Sequence, residues 1–508
     1  MKPIKIFCKG KMKKTAFLFP IFLALSAGCS VGPSYKQPCA EVPAGWKNQQ
    51  NEKCDAQSAP ALTYLDYWWE IFHEPRLNEL EQWALVNNRE LYIAYERVQE
   101  YRALMGVAAS NFYPQVTLNP LYTNTGELIK NYAPPVPNTP ANLQIPRLFR
   151  AHELLYSLPF NLSYEVDLWG KLRDIYASAK YDYLSQQKQY ETAILSLTSS
   201  LATAYYQLRT ADAQIDLLRR ILVSRKNALQ INEDRFEDGI VFYSDVALAA
   251  EEVDSVTTQL EEVIRQRKVL ENEIAVLIGV PASELQLEFM PLVGLPPCVP
   301  ENLPSEVLLQ RPDIAAAEFS VRSQHALVKE AYTQFFPSLI LTGSLGYESP
   351  VFKEFLKWLS RFWMMGAQAN QLVFDGFRTP YNVAVQMARL GEAGGNYQQT
   401  ILVAFQEVED ALVNLASYAR EYDSAVATSN WAERAFGLYK DRYNLGVINY
   451  IDVVNTERDW LNYEIQSVGL QGNRFLATIE LIRALGGDWT LPDAVDSPIK
   501  MNENEGCE

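Results

Sequence analysis

Proline is the residue that a helix interior tolerates least, and its spacing constrains this chain more than any other feature. Of 27 prolines in 508 residues, none lies between Pro159 and Pro281 or between Pro380 and Pro492. The proline ring removes an amide donor and clashes with the preceding turn. Two runs that avoid it therefore predict two very long helical regions. Within the first, Leu201, Leu208, Ile215, Leu222 and Leu229 recur every seven residues, with Ala204, Ala211 and Leu218 as a companion row. With Glu, Arg and Lys between them, these rows predict helices packed lengthwise as in a coiled coil. A continuous helix over 174–236 would be about 95 Å long, more than a compact domain accommodates.

Each run contains a glycine-centred interruption. RFEDGIVFYSDVALAAE, Arg235 to Glu251, is repeated 207 positions later as RYNLGVINYIDVVNTER, Arg442 to Arg458. Arg235/Arg442, Gly239/Gly446, Tyr243/Tyr450, Asp245/Asp452 and Val246/Val453 are identical at that offset, which also joins Gly279 to Gly486. A constant offset over this span predicts a tandem duplication. Glycine lets each chain reverse, so each repeat should hold a long helix, a turn and a shorter returning helix.

Ahead of each long helix the period changes from that of a helix to that of a strand. In LLYSLPFNLSYEVDLWG the even positions from Leu154 to Leu168 are all apolar, while Ser157, Asn161, Ser163, Glu165 and Asp167 occupy the other face. PQVTLNPLYTN, PSLILTGSLGY and FWMMGAQANQLVF complete a set of four segments of about the length of a tilted membrane-crossing strand. A soluble sandwich strand has the same alternation. If the strands cross a membrane, four cannot close a barrel without leaving edges unsatisfied in hydrocarbon, so several copies must share one.

The N-terminus, MKKTAFLFPIFLALSAGC from Met12, has a basic start, a short apolar core and small residues before Cys29. It predicts an export signal over 1–28, too short for a membrane-spanning helix. Cys29 is then either incidental to an ordinary cleavage site or the acylated mature N-terminus of a lipoprotein. Ser26 stands where a lipobox usually has Leu. Cys39, Cys54, Cys298 and Cys507 show no metal spacing; Cys39 and Cys54 are either paired or free. The net charge of −16 disfavours nucleic acid as a partner. His73, His152 and His325 are too dispersed for a zinc cluster, and no hydrolase, nucleotide-binding or Rossmann motif occurs. No catalytic residue, metal or cofactor is expected.

These features resemble the bacterial outer membrane factors of tripartite efflux systems (TolC-like), in particular the NodT-type lipoprotein branch. The motifs carrying the resemblance are CSVGPSYKQP, WWEIFHEPRLNELEQWAL, SYEVDLWGKLR, AYYQLR, RPDIAAAE, LVFDGFR and the twin turns, in that order from Cys29 towards Trp489. The resemblance implies a mainly α fold with membrane β: a homotrimer whose protomers each give four strands to a twelve-stranded outer membrane barrel continuous with a long periplasmic helical barrel. It implies a passive export channel in the outer membrane, working with a periplasmic adaptor and an inner membrane pump.

The expected division is a signal at 1–28, a lipidated extended segment at 29–65, and a first repeat at 66–280 with strands about 114–128 and 153–168 and helices 174–236 and 244–278. A linker at 281–310 leads to a second repeat at 311–489, with strands about 337–350 and 361–374 and helices 380–441 and 451–485, and a tail at 490–508. The resemblance further implies a periplasmic gate at the twin turns, with Asp452 lining the tunnel, Asp245 linking the helix pairs, and Asn455, Tyr443 and Arg442 close by. Asn455 stands where many members carry a second acid. Both aspartates are also suited to capping the returning helices. The rival is a soluble periplasmic coiled-coil adaptor or scaffold.

Overall fold

In the computed structural model, residues 31–38, 45–47, 67–131, 147–297, 308 and 311–487 are described. Cys29, the Cys39 and Cys54 pair, Cys298, Cys507, the signal and the tail lie outside them. After a short 3-10 turn at Trp68–Phe72 come two helices, α1 (Pro75–Asn87) and α2 (Arg89–Ser110). Three strands follow, β1 (Gln115–Leu118), β2 (Leu121–Asn131) and β3 (Arg147–Val166). The first hairpin is α3 (Lys171–Glu237) with α4 (Tyr243–Leu277). The second half repeats the order with α5 (Pro312–Thr333), β4 (Ser338–Ser349), β5 (Arg361–Asn370), α6 (Arg378–Asn444) and α7 (Tyr450–Ala484). The long helices have equal lengths in the two halves, 67 residues outward and 35 back. Among the described residues no helix is long and apolar enough to cross a membrane.

The chain forms two compact units, and each takes segments from both halves rather than one repeat. One unit holds the sheet. Its order is β1-β3-β4-β5, all antiparallel, with β2 also paired to β3. β1 and β2 occupy one strand position, interrupted at Asn119 and Pro120, because proline has no amide to continue the ladder. The single strand expected at 114–128 is thus two pieces, and β3 starts at Arg147 instead of 153. Register puts Leu158, Phe160, Leu162 and Tyr164 opposite Tyr347, Leu345, Gly343 and Leu341, so one face is apolar along the sheet. Among the described residues β5 and the β1–β2 position are open edges, as expected of a sheet completed by other copies. Where α3 begins, Asp174 is buried and binds Lys329 at 2.9 Å, and Ser178 and Ser323 hydroxyls lie 2.9 Å apart.

The other unit is helical. Leu201, Leu208, Ile215, Ala204, Ala211 and Leu218 of the two heptad rows are all buried. Ile215, Leu218 and Ile221 of α3 form one cluster with Val256 and Leu260 of α4 and Leu461 of α7. Tyr206 stacks on Phe475, ring centroids 4.6 Å apart, with Phe72 5.2 Å from Tyr206. α7 approaches α3 closely at Gly472, where a Cβ would stand 2.2 Å from the Thr210 hydroxyl. Arg209 and Arg267 converge on the fully buried Asp212, and Arg267 also binds the Leu287 carbonyl, fixing the segment after α4. Arg311 grips both carboxylate oxygens of Asp313, the Ala484 carbonyl and Glu407, closing the end of α7.

Candidate functional site: the paired helix turns

The two long helices end identically. At the first turn the amide of Ile240 donates to the Arg235 carbonyl at 2.8 Å and that of Gly239 to Phe236 at 2.9 Å; at the second, Val447 donates to Arg442 at 3.0 Å and Gly446 to Tyr443 at 2.9 Å. These are Schellman closures, which need a left-handed residue. Gly239 and Gly446 supply it with φ of +70° and +72°. No atom lies within 4 Å of where a Cβ would be at either position, so glycine is needed for its backbone freedom and not for space.

Each aspartate sits at the third residue of its returning helix, behind Phe242 or Asn449 at the N-cap. Asp245 reaches back to accept the Phe242 amide at 3.3 Å. Phe242 has no side-chain oxygen to return the bond, so only half of the reciprocal capping pair exists. Among the described residues Asp245 makes no bond to the second hairpin. The half-buried Asp452 carboxylate makes no hydrogen bond or ion pair among them. Asn455 accepts from Arg458 at 3.0 Å, and Arg442 lies over the Tyr439 ring of its own helix.

What joins the hairpins is a different set. Arg235 of the first turn donates to the Tyr443 hydroxyl of the second. Tyr443 packs against Tyr450, ring centroids 5.5 Å apart, and the homologous rings Phe236 and Tyr243 lie 5.7 Å apart. Burial raises the pKa of the Tyr450 hydroxyl against the opposing effect of the neighbouring Asn232 amide of α3. Deeper between the helices, Arg225 is only 3% exposed. Its Nη1 donates to Glu457 of α7 at 2.8 Å and its Nη2 lies 3.6 Å from Glu252 of α4. Ser224 donates to Glu457 at 3.3 Å, and Arg458 stands 3.7 Å from Glu252. One buried cation therefore ties three helices from both repeats.

Residues 80–280 and 303–487 match the outer membrane efflux protein family. The chain belongs to that family. The outer membrane protein OprJ of Pseudomonas aeruginosa is 28% identical over 487 residues, covering 94% of this chain and 97% of the relative. The toluene efflux pump outer membrane protein TtgF of Pseudomonas putida is 28% identical over 488 residues, with the same coverage. Among solved structures, the Campylobacter jejuni CmeC outer membrane channel is similar with a TM-score of 0.79 and 27% identity, covering 92% of this chain and 96% of that one. The Neisseria gonorrhoeae MtrE channel in its open state matches with a TM-score of 0.76 and 25% identity, covering 91% and 99%. This efflux protein is the outer membrane channel component of a tripartite system, a homotrimer that extends into the periplasm and works with an adaptor and an inner membrane pump. The soluble adaptor reading is not favoured.

In this channel protein the sequence did carry a sign of the hidden cluster. The companion row Ala204, Ala211, Leu218 continues in steps of seven to Arg225 and then Asn232. A cation and an amide in a core row must find buried partners, and both residues are buried. Their partners Glu457 and Glu252 carry no comparable mark, because each is one acid among many.

Proposed function

We propose that the paired turns are the periplasmic gate of this efflux channel, and that the cluster around Arg225 is the latch holding the second hairpin against the first. The observation carrying this reading is Arg225 itself, a buried guanidinium whose two carboxylate partners lie on different repeats. Separating the hairpins breaks its bond to Glu457 and parts Arg458 of α7 from Glu252, while leaving Glu252 with Arg225. Arg235 and Tyr443 form the outer link at the turns. Asp245 serves its own helix as a cap, whereas Asp452 has a carboxylate that no neighbour among the described residues engages, which suits a residue facing the tunnel. Three such carboxylates around one axis would repel and attract cations. Arg442 and Asn455 stay on their own helices and set the local charge.

The chain is, on this reading, a passive conduit without catalytic residues, exported under its N-terminal signal and acylated at Cys29 in the manner of the NodT-type branch. Its relatives carry names that span toluene, solvent and antibiotic efflux, consistent with a conduit whose cargo is chosen by the pump. The test is Asp452→Ala in planar bilayers. Loss of cation preference with higher single-channel conductance is expected. Unchanged selectivity and conductance would place Asp452 outside the tunnel.

A further inference from the structure

The connection between β4 and β5 lies at the end of the sheet remote from the helices, since α5 leads into β4 and α6 leaves β5 at the opposite end. It does not project away from the strands. Two short helical turns, Phe352–Glu354 and Trp358–Ser360, fold it over the sheet. Phe352 and Phe355 meet the Tyr156 ring with centroids 5.4 and 6.3 Å away. Tyr156 pairs with Ser349, and Ser349 is buried. Tyr156 shares the face of Leu158, Phe160, Leu162 and Tyr164, so the loop packs on the end of the sheet's apolar face, the kind of face a membrane barrel turns towards lipid.

What the loop displays there is unusual for a water-facing connection. Leu359 is 93% exposed and Trp358 71%, with Phe352 and Leu356 also well exposed. Between them come Lys353, Lys357 and Arg361 against a single acid, Glu354, in a chain whose net charge is −16. Glu354 pairs with Lys357 at 2.7 Å, but both are largely exposed, so that pair holds little energy and exchanges readily. Arg361 donates to the Trp358 carbonyl and lies on its ring. Bulky apolar and aromatic side chains interleaved with cations, at the level of the outer interface, are the chemistry of a surface that meets acyl chains and phosphates together.

We propose that this loop is a docking site for the phosphorylated glycolipid of the outer leaflet, with Lys353 and Lys357 on its phosphates and Phe352, Leu356, Trp358 and Leu359 among its acyl chains. The probe is lipid A, titrated against the purified full-length trimer by native mass spectrometry beside the same lipid stripped of phosphate. The wild type should bind lipid A roughly thirtyfold more tightly than the stripped lipid, and Lys353→Gln/Lys357→Gln should lose about that factor while remaining trimeric. Trp358→Ala/Leu359→Ser should weaken both lipids alike. Equal affinity of the wild type for the two lipids, or an unchanged double lysine variant, would overturn the assignment. Dissociation of the lysine variant into protomers would also overturn it, because the loop would then be a contact between copies of the chain.

Discussion

Replacing Arg225 with Met removes the cation at the centre of the latch while keeping most of its volume. The guanidinium is 3% exposed and its partners' side chains 11% and 15%. Removing one member of a buried ion pair costs about 3–5 kcal/mol, because the remaining charge is stranded. Some water reaches the two carboxylates, and Arg458 still faces Glu252, so about 2–3 kcal/mol per protomer is the expected cost in the closed state. If opening carries Glu457 into water, the open state does not bear that cost, and the equilibrium shifts by roughly 30- to 150-fold per protomer. The assay is single-channel recording in planar bilayers. Arg225→Met should dwell in a state of several-fold higher conductance, and Arg225→Met/Glu457→Met should return towards the wild type, since an apolar pair of similar volume replaces a buried ion pair at little cost. Wild-type conductance from a folded Arg225→Met trimer, or a double variant as leaky as the single, would refute the latch.

Other consequences concern the framework that holds the gate. Gly446→Ala meets only backbone strain of about 1–2 kcal/mol, whereas at Gly279, with φ of +77°, the new Cβ would also stand 2.3 Å from the Asn87 carbonyl; thermal unfolding should rank Gly279→Ala as clearly the more damaging. Gly472→Ala should cost about 1–3 kcal/mol through overpacking against Thr210, and Thr210→Ala should recover most of it; failure to recover would mean that α7 does not approach α3 there. Glu81 of α1 is fully buried, its carboxylate oxygens have no hydrogen-bond partner, and burial raises its pKa well above 4.5. Its contribution to stability is therefore complete below 4.5 and is lost as pH rises through the raised value. The melting temperature of Glu81→Gln should gain on the wild type between pH 5 and pH 8, and a difference independent of pH would contradict this.

The parts of the fold governed by local rules were legible in the sequence. Proline avoidance and the heptad rows mark the long helices, and the offset of 207 marks the turns, because Schellman closure requires glycine at a fixed place. Alternation in Leu154 to Leu168 marks the sheet. Harder to read was the interruption at Asn119 and Pro120, where one proline divides a strand position without moving its register. The gate was legible only as a location. Asp245 and Asp452 are conspicuous because they are duplicated, yet Asp245 is spent on its own helix. Of the residues that join the hairpins, only Arg235 is duplicated, as Arg442; Arg225, Glu252, Glu457 and Tyr443 have no identical counterpart at that offset. Their pairing depends on how two helices more than 200 residues apart in the chain come to face each other, which no local pattern records.

Opening by this mechanism requires the second hairpin to part from the first. Asn232 and Tyr450 face each other across that junction, so Asn232→Cys/Tyr450→Cys in the Arg225→Met background can be joined by a short reducible crosslinker and recorded in planar bilayers. The joined channel should stay at the closed conductance and become leaky when the crosslink is reduced. A joined channel that conducts as freely as the reduced one would contradict a gate that works by separating these hairpins.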